Sequence, residues 1–179
     1  MRAWTAGVSW VSFVLCLILG SAGAAAQLAA VAVDAGENGV LRHHGNGGEV
    51  GAEARFAAYR LGFLPRFIPD FIPVLGAART SKGALYGYAG FRLDFPLGTS
   101  PWVTTIGFAA GDYHQGGGKR LGGPVEFRSG IELARRLGDS SRLGLSLYHL
   151  SNAGLYEHNP GVESLILVYT YTLPGARRP

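Results

Sequence analysis

The sequence predicts an all-β fold, an eight-stranded antiparallel transmembrane β-barrel of the outer membrane, and three observations lead there. An export signal opens the chain. Apolar and polar residues then alternate with period two, and no later apolar run approaches the length of a spanning helix.

The signal is "MRAWTAGVSWVSFVLCLILGSAGAAAQ". It has a positive start at Arg2, an apolar run from Val8 to Leu19 and an A-x-A pattern at Ala24 and Ala26. Residues 1–26 are therefore expected to be removed, leaving residues 27–179 as one domain. An anchoring helix fits less well, because the apolar core is short and gives way to glycine and alanine. The single cysteine, Cys16, leaves with the signal, so disulfides have no part in the mature fold. Of 16 Lys and Arg only Arg2 lies in the signal, and against 12 Asp and Glu the mature chain is mildly cationic. These charges are scattered and form no basic stripe. That argues against nucleic acid as a partner and suits a phosphate-bearing lipid surface.

Each strand is read from its alternation, since successive side chains point to opposite faces. In 161–173, Glu163, Leu165, Leu167, Tyr169, Tyr171 and Leu173 share one face, opposite Ser164, Ile166, Val168, Thr170 and Thr172. In 142–151, Leu143, Leu145, Leu147, His149 and Ser151 oppose Arg142, Gly144, Ser146, Tyr148 and Leu150. In 125–137, Val125, Phe127, Ile131, Leu133 and Leu137 oppose Glu126, Arg128, Gly130, Glu132, Ala134 and Arg136. Residues 85–95, 102–112 and 50–59 alternate likewise, the last setting Val50, Ala52, Ala54, Phe56 and Ala58 against Glu53, Arg55 and Tyr59. Two weaker segments, 28–35 and 71–79, complete eight.

The charged face (Glu53, Arg55, Arg92, Asp94, Glu126, Arg128, Glu132 and Arg136) is mixed in sign. A barrel with an apolar outside holds such a set as an internal network, with Glu126, Arg128, Glu132 and Arg136 satisfied by one another and by Arg92 or Asp94. A soluble sheet with the leucines inside has the same alternation. The export signal and the strand lengths favour the membrane form. The turns at 97–100 and 138–141 are short, as periplasmic turns are. "DAGENGVLRHHGNGG", "DYHQGGGKRLGG" and "NAGLYEHNP" read as longer outer loops, whereas "RTSKG" is a short outer loop and "RLGFLPRFIPD" a long inner one.

One group is out of place on the apolar face. His149 and Ser151 stand at i and i+2, with Cα atoms about 6.6–7 Å apart, and a hairpin centred near Tyr156 sets Glu163 opposite His149. A serine nucleophile, a histidine base and an orienting carboxylate form a hydrolytic triad. Here it would stand at the outer-leaflet interface, where an enzyme acting on lipid needs it. Singly, each residue has a plainer reading: an interfacial histidine, a turn-initiating serine, a solvated glutamate. His43, His44, His114 and His158 lack metal-ligand spacing, and neither a metal nor a cofactor is expected.

"HLSNAGLYEHNPGVES" resembles the signature of the lipid A 3-O-deacylases of Gram-negative outer membranes, the PagL family. "LGGPVEFRSGIELARRLG" resembles that family too, so the likeness covers about the last 70 residues. The resemblance implies hydrolysis of the ester-linked hydroxyacyl chain at the 3-position of lipid A, in the lipopolysaccharide of the outer leaflet. It also implies roles: Ser151 as nucleophile, His149 as base, Glu163 as orienting acid, Asn159 and the Gly154 amide as oxyanion donors, and Asn152 as loop support. Two other readings stay open at this point, a barrel acting as adhesin or small-molecule conduit and a soluble barrel holding an apolar ligand. A homodimer is left open as well.

Overall fold

The computed structural model describes residues 27–41 and 47–176. Its strands are β1 (Leu28–Asn38), β2 (Gly47–Phe56), β3 (Phe71–Thr80), β4 (Leu85–Pro96), β5 (Trp102–His114), β6 (Val125–Arg136), β7 (Ser141–Ser151) and β8 (Val162–Thr172). Each pairs antiparallel with the next, and β1 pairs with β8, so the sheet closes with no free edge. Strands of 10 to 13 residues match the length needed to cross a bilayer at a tilt. The expected signal, residues 1–26, lies outside the described residues.

The faces separate as the alternation predicts. Leu143, Leu145, Leu147, Leu165, Leu167, Ile131, Leu133 and Ile106 stand on the exposed outside, while Arg55, Glu126 and Glu132 are fully buried within. A soluble protein does not surround itself with a continuous apolar belt; a barrel immersed in lipid does. The inside-out soluble alternative is therefore rejected.

The lumen is filled by charge. Glu53 accepts hydrogen bonds from Arg55 Nε (2.8 Å), Arg92 Nε (2.6 Å), Arg92 Nη2 (2.9 Å) and the Tyr88 hydroxyl (3.2 Å). Glu132 draws Arg55, Arg92 and Arg142 to 3.5, 3.6 and 3.8 Å. Arg142 reaches on to Asp94 at 2.5 Å, and Asp94 also accepts from the Thr105 hydroxyl. Toward the outer end, Glu49 accepts from Asn38 and Ser164, each at 3.1 Å, and from the Tyr148 hydroxyl. Carboxylates buried in this way are held by partners from several strands, which leaves little room for a conduit.

The pairing expected within one row is corrected here. Glu126, Arg128, Glu132 and Arg136 do not neutralise one another, because side chains at i and i+2 stand about 7 Å apart and reach across the lumen instead. Glu132 finds its partners on β2, β4 and β7. The Arg128 guanidinium lies over the rings of Tyr148 (3.7 Å) and Tyr88 (4.9 Å). Neither Glu126 oxygen has a hydrogen-bond partner among the described residues, and Arg136 lines the periplasmic mouth beside Arg142 and Thr170.

Four strand boundaries also move. β1, β2 and β5 extend into the glycine-rich stretches expected to be loop: Asp34–Asn38 and Asp112–His114 are strand, paired with β2, β8 and β4. β2 ends at Phe56, and Tyr59 forms an isolated bridge with Phe71 and stacks on its ring at 6.1 Å. Bridged residues share a face, so Tyr59 lies with the outward Phe71. The alternation placed it with the luminal Glu53 and Arg55, but the strand ends before that parity reaches it.

Candidate active site

The site stands at the extracellular end of β7 and β8. His149 and Glu163 are direct cross-strand partners, and His149 Nδ1 lies 3.2 Å from Glu163 Oε1. The imidazole is largely open to its surroundings, whereas the carboxylate is mostly covered, with side-chain exposures of 45 % and 15 %. The second carboxylate oxygen, Oε2, is buried and has no hydrogen bond among the described residues. With Nδ1 turned to the carboxylate, Nε2 is left for another group.

Ser151 follows on the same face, half-buried and paired across the sheet with Phe127 of β6. No hydrogen bond joins its hydroxyl to His149 or to any other described residue. Phe127 begins an aromatic row over the lipid face: Phe127–Phe108, Phe108–Phe91 and Phe91–Phe71 have ring centroids 6.0, 6.1 and 5.0 Å apart.

The loop 152–161 is organised by Asn152, which is fully buried. Its backbone N–H donates to Asn159 Oδ1 (3.1 Å), and its side-chain amide donates to the carbonyls of Leu121 (2.8 Å) and His158 (2.9 Å). Its Oδ1 accepts the Gly154 N–H at 3.0 Å. Both of its side-chain donors and its carbonyl oxygen are engaged, tying the loop to the preceding outer loop, 115–124. The bond from Asn152 also fixes the orientation of the Asn159 amide, leaving Asn159 Nδ2 free to donate. The Gly154 N–H, by contrast, is already engaged.

Three glycines make these contacts feasible, and sequence reasoning gave none of them a role. A Cβ on Gly161 would lie 2.4 Å from His149 Cε1 and 3.0 Å from Nε2, and its φ of +57° disfavours a side chain as well. The imidazole thus packs against bare backbone. At Gly122 a Cβ would meet the His158 carbonyl at 1.8 Å, and at Gly123 it would enter the Tyr156 ring at 2.0 Å. Tyr156 in turn accepts the Val125 N–H at 3.3 Å. The "NPG" and "LGGP" turns were the available signals, but a turn glycine does not reveal which ring will lie against it.

Among the described residues no three His, Cys, Asp or Glu side chains stand together as a metal site. His43 and His44 lie outside the described residues. His114 ends β5 and His158 sits in the 152–161 loop, away from each other in the chain and both exposed.

Fold and site together define a class: an outer-membrane β-barrel with a histidine–carboxylate pair and a serine on the outer rim of its lipid-facing surface. Within that class, the chain belongs to the lipid A 3-O-deacylase (PagL) family, whose model matches residues 41–172. It is similar to the lipid A deacylase PagL of Bordetella bronchiseptica, with 45 % identity over 53 residues. That alignment covers 30 % of this chain and 30 % of the relative, so it spans less than a third of the relative's length. Among solved structures, the crystal structure of the outer membrane enzyme PagL superposes with a TM-score of 0.59 at 19 % identity, covering 81 % of this chain and 100 % of that one. Neisserial surface protein A gives 0.54 at 13 % identity, covering 80 % and 96 % of the two chains. At these identities the structural likeness concerns the fold.

Proposed function

We propose that this protein is an esterase that removes the 3-O-linked hydroxyacyl chain of lipid A, with Ser151 as nucleophile, His149 as general base and Glu163 as the group that orients the imidazole. The observation that carries the reading is the 3.2 Å contact between His149 and Glu163 on a face otherwise given to leucine and phenylalanine. A polar pair costs free energy against lipid and has no structural reason to stand there. Family membership supports the same reaction.

In this reading, Glu163 Oε1 accepts the Nδ1 hydrogen of His149, which fixes the tautomer and leaves Nε2 as the base. Nε2 takes the Ser151 proton as Oγ attacks the ester carbonyl. The separate Ser151 hydroxyl closes on Nε2 when substrate binds, since such contacts tighten in the reacting complex. Negative charge on the former carbonyl oxygen is met by Asn159 Nδ2, whose orientation Asn152 fixes. The Gly154 N–H contributes after exchanging its bond to Asn152 Oδ1. His149 then returns the proton to the 3-oxygen of the sugar as it leaves, and water, activated by the same imidazole, hydrolyses the acyl-serine. Leu147, Leu165 and Phe127 offer the acyl chain an apolar surface continuous with the membrane.

The test is release of 3-hydroxy fatty acid from purified lipopolysaccharide in detergent, with folding followed by heat-modifiability on gels. The wild-type protein releases the acid and a folded Ser151→Ala variant does not. Undiminished release by that variant removes the triad; no release by folded wild-type protein removes the activity.

A further inference from the structure

The periplasmic side has one connection that does not fit its neighbours. β4–β5 and β6–β7 are joined by residues 97–101 and 137–140, but β2–β3 by residues 57–70. Short turns are the rule on this side of such barrels. The long one carries Phe63 and Phe67, whose exposures of 81 % and 80 % are the highest of any large hydrophobic among the described residues.

That exposure is built in. Arg60 ties the loop from inside, donating to the carbonyls of Ile68 and Pro65 (2.9 Å to the latter) and lying 3.5 Å from Asp70. The turns Leu64 N–H to Leu61 O and Ile68 N–H to Pro65 O, both 3.0 Å, set its course, and Pro65 and Pro69 fix φ within it. The loop is therefore shaped, yet it turns two phenylalanines away from itself and from the barrel. Arg60 neutralises Asp70. Arg66, beside Phe67, is exposed and has no partner among the described residues.

The base of the loop continues the lipid-facing surface. Tyr59 stacks on Phe71, and Phe71 meets Phe91 at a tilt, both phenylalanines being part of the outward aromatic row. Nearby periplasmic strand ends show Leu28, Trp102 and Tyr171 on the same apolar belt. A pair of aromatics flanked by an unpaired cation, in continuity with that belt, matches the boundary between acyl chains and phosphate headgroups.

We propose that residues 57–70 form a membrane anchor, with Phe63 and Phe67 inserted among inner-leaflet phospholipids and Arg66 at their phosphates. The residues of the proposed reaction lie at the opposite end of the barrel, on β7 and β8, so the anchor shares none of them. By gripping the inner leaflet it fixes the depth of the barrel, and with it the height of the outer rim.

The experiment places an indole in the loop. Phe67→Trp, and separately Phe63→Trp, are made in a Trp102→Phe background, so that the mature chain has a single tryptophan. Each is refolded into vesicles of phosphatidylethanolamine and phosphatidylglycerol, and folding is checked by heat-modifiability. The expected result is blue-shifted emission, strong quenching by lipids brominated near the carbonyl end of the chain and weak quenching by aqueous iodide. Adding Arg66→Glu should weaken the bromolipid quenching severalfold. Red-shifted emission quenched by iodide at both positions overturns the proposal. So does a blue shift that appears only at high protein-to-lipid ratio, which would assign the phenylalanines to a second copy of the chain.

Discussion

Two polar clusters sit in this barrel, one in the lumen and one on the outer rim, and they are satisfied differently. In the lumen, Glu53 accepts from two arginines and a tyrosine, and Asp94 from Arg142 and Thr105. On the rim, Glu163 Oε2 has no hydrogen-bond partner among the described residues, and neither the Ser151 hydroxyl nor Asn159 Nδ2 bonds to any of them. Most luminal charges are held in ion pairs, because an unpaired buried charge destabilises the fold, although single atoms such as Arg55 Nη1 and Arg128 Nη1 have no hydrogen bond among the described residues. The rim groups keep free hydrogen-bonding capacity at the place a lipid ester would reach. In the proposed reaction, the luminal cluster holds strands together and the rim cluster receives the substrate. Glu126 crosses this division: it is luminal and buried, its carboxylate faces the Asn152 amide and the Gly123 N–H of the outer loops, and neither oxygen has a well-formed hydrogen bond among the described residues.

The sharpest way to break this contrast is at the rim. Ser151→Ala and His149→Asn should each lower release of hydroxy fatty acid by roughly a thousandfold or more while the folded band on a heat-modifiability gel stays unchanged. The double variant should be hardly worse than either single one, because residues acting as a unit are not additive. Losses that multiply in the double variant would mean that the two side chains work separately. Glu163→Ala, which leaves base and nucleophile in place, should be milder by one to two orders of magnitude.

The lumen should respond in the opposite sense. Glu132→Ala leaves Arg55, Arg92 and Arg142 without a shared carboxylate, and breaking a buried pair of this kind costs about 3–5 kcal/mol. Urea unfolding from lipid vesicles should show that loss, while the fraction that remains folded keeps its rate of release. A fall in rate per folded molecule would couple the lumen to the rim and end the comparison as drawn.

Smaller effects sharpen the picture of the rim itself. Asn159→Ala removes the amide donor that Asn152 orients and should reduce kcat by roughly a hundredfold with little change in KM, the pattern of an interaction made chiefly in the transition state. A proportional rise in KM instead would make Asn159 a ground-state contact. Gly161→Ala places a methyl group against the His149 ring at a backbone angle that disfavours it. A displaced imidazole should cost roughly ten- to a hundredfold in rate. Unchanged activity would show that the ring has room the structure does not give it.

Much of the architecture was legible in the order of residues because strand periodicity is local. Leu143 to Ser151 and Glu163 to Leu173 each declare one face, and a hairpin through Tyr156 then requires His149 to meet Glu163, as it does. The outer ends of β1 and β5 were less legible. Glycine-rich stretches such as Asp34–Asn38 carry weak alternation and become strand only because β2 and β8 supply ladders on both sides.

By itself, then, the sequence determined which residues face lipid, how many strands close the barrel and which histidine, serine and glutamate share the outer rim. All of these follow from a period of two and from hairpin connectivity, which act between near neighbours. Tertiary structure decided the rest: that Glu132 draws arginines from β2, β4 and β7 in preference to its own strand, that Tyr59 faces outward and that Asn152 joins two loops thirty residues apart in the chain. It also decided that His149 rests on Gly161. These contacts depend on barrel curvature and on the distances between strands, and no residue carries that information until the sheet has closed.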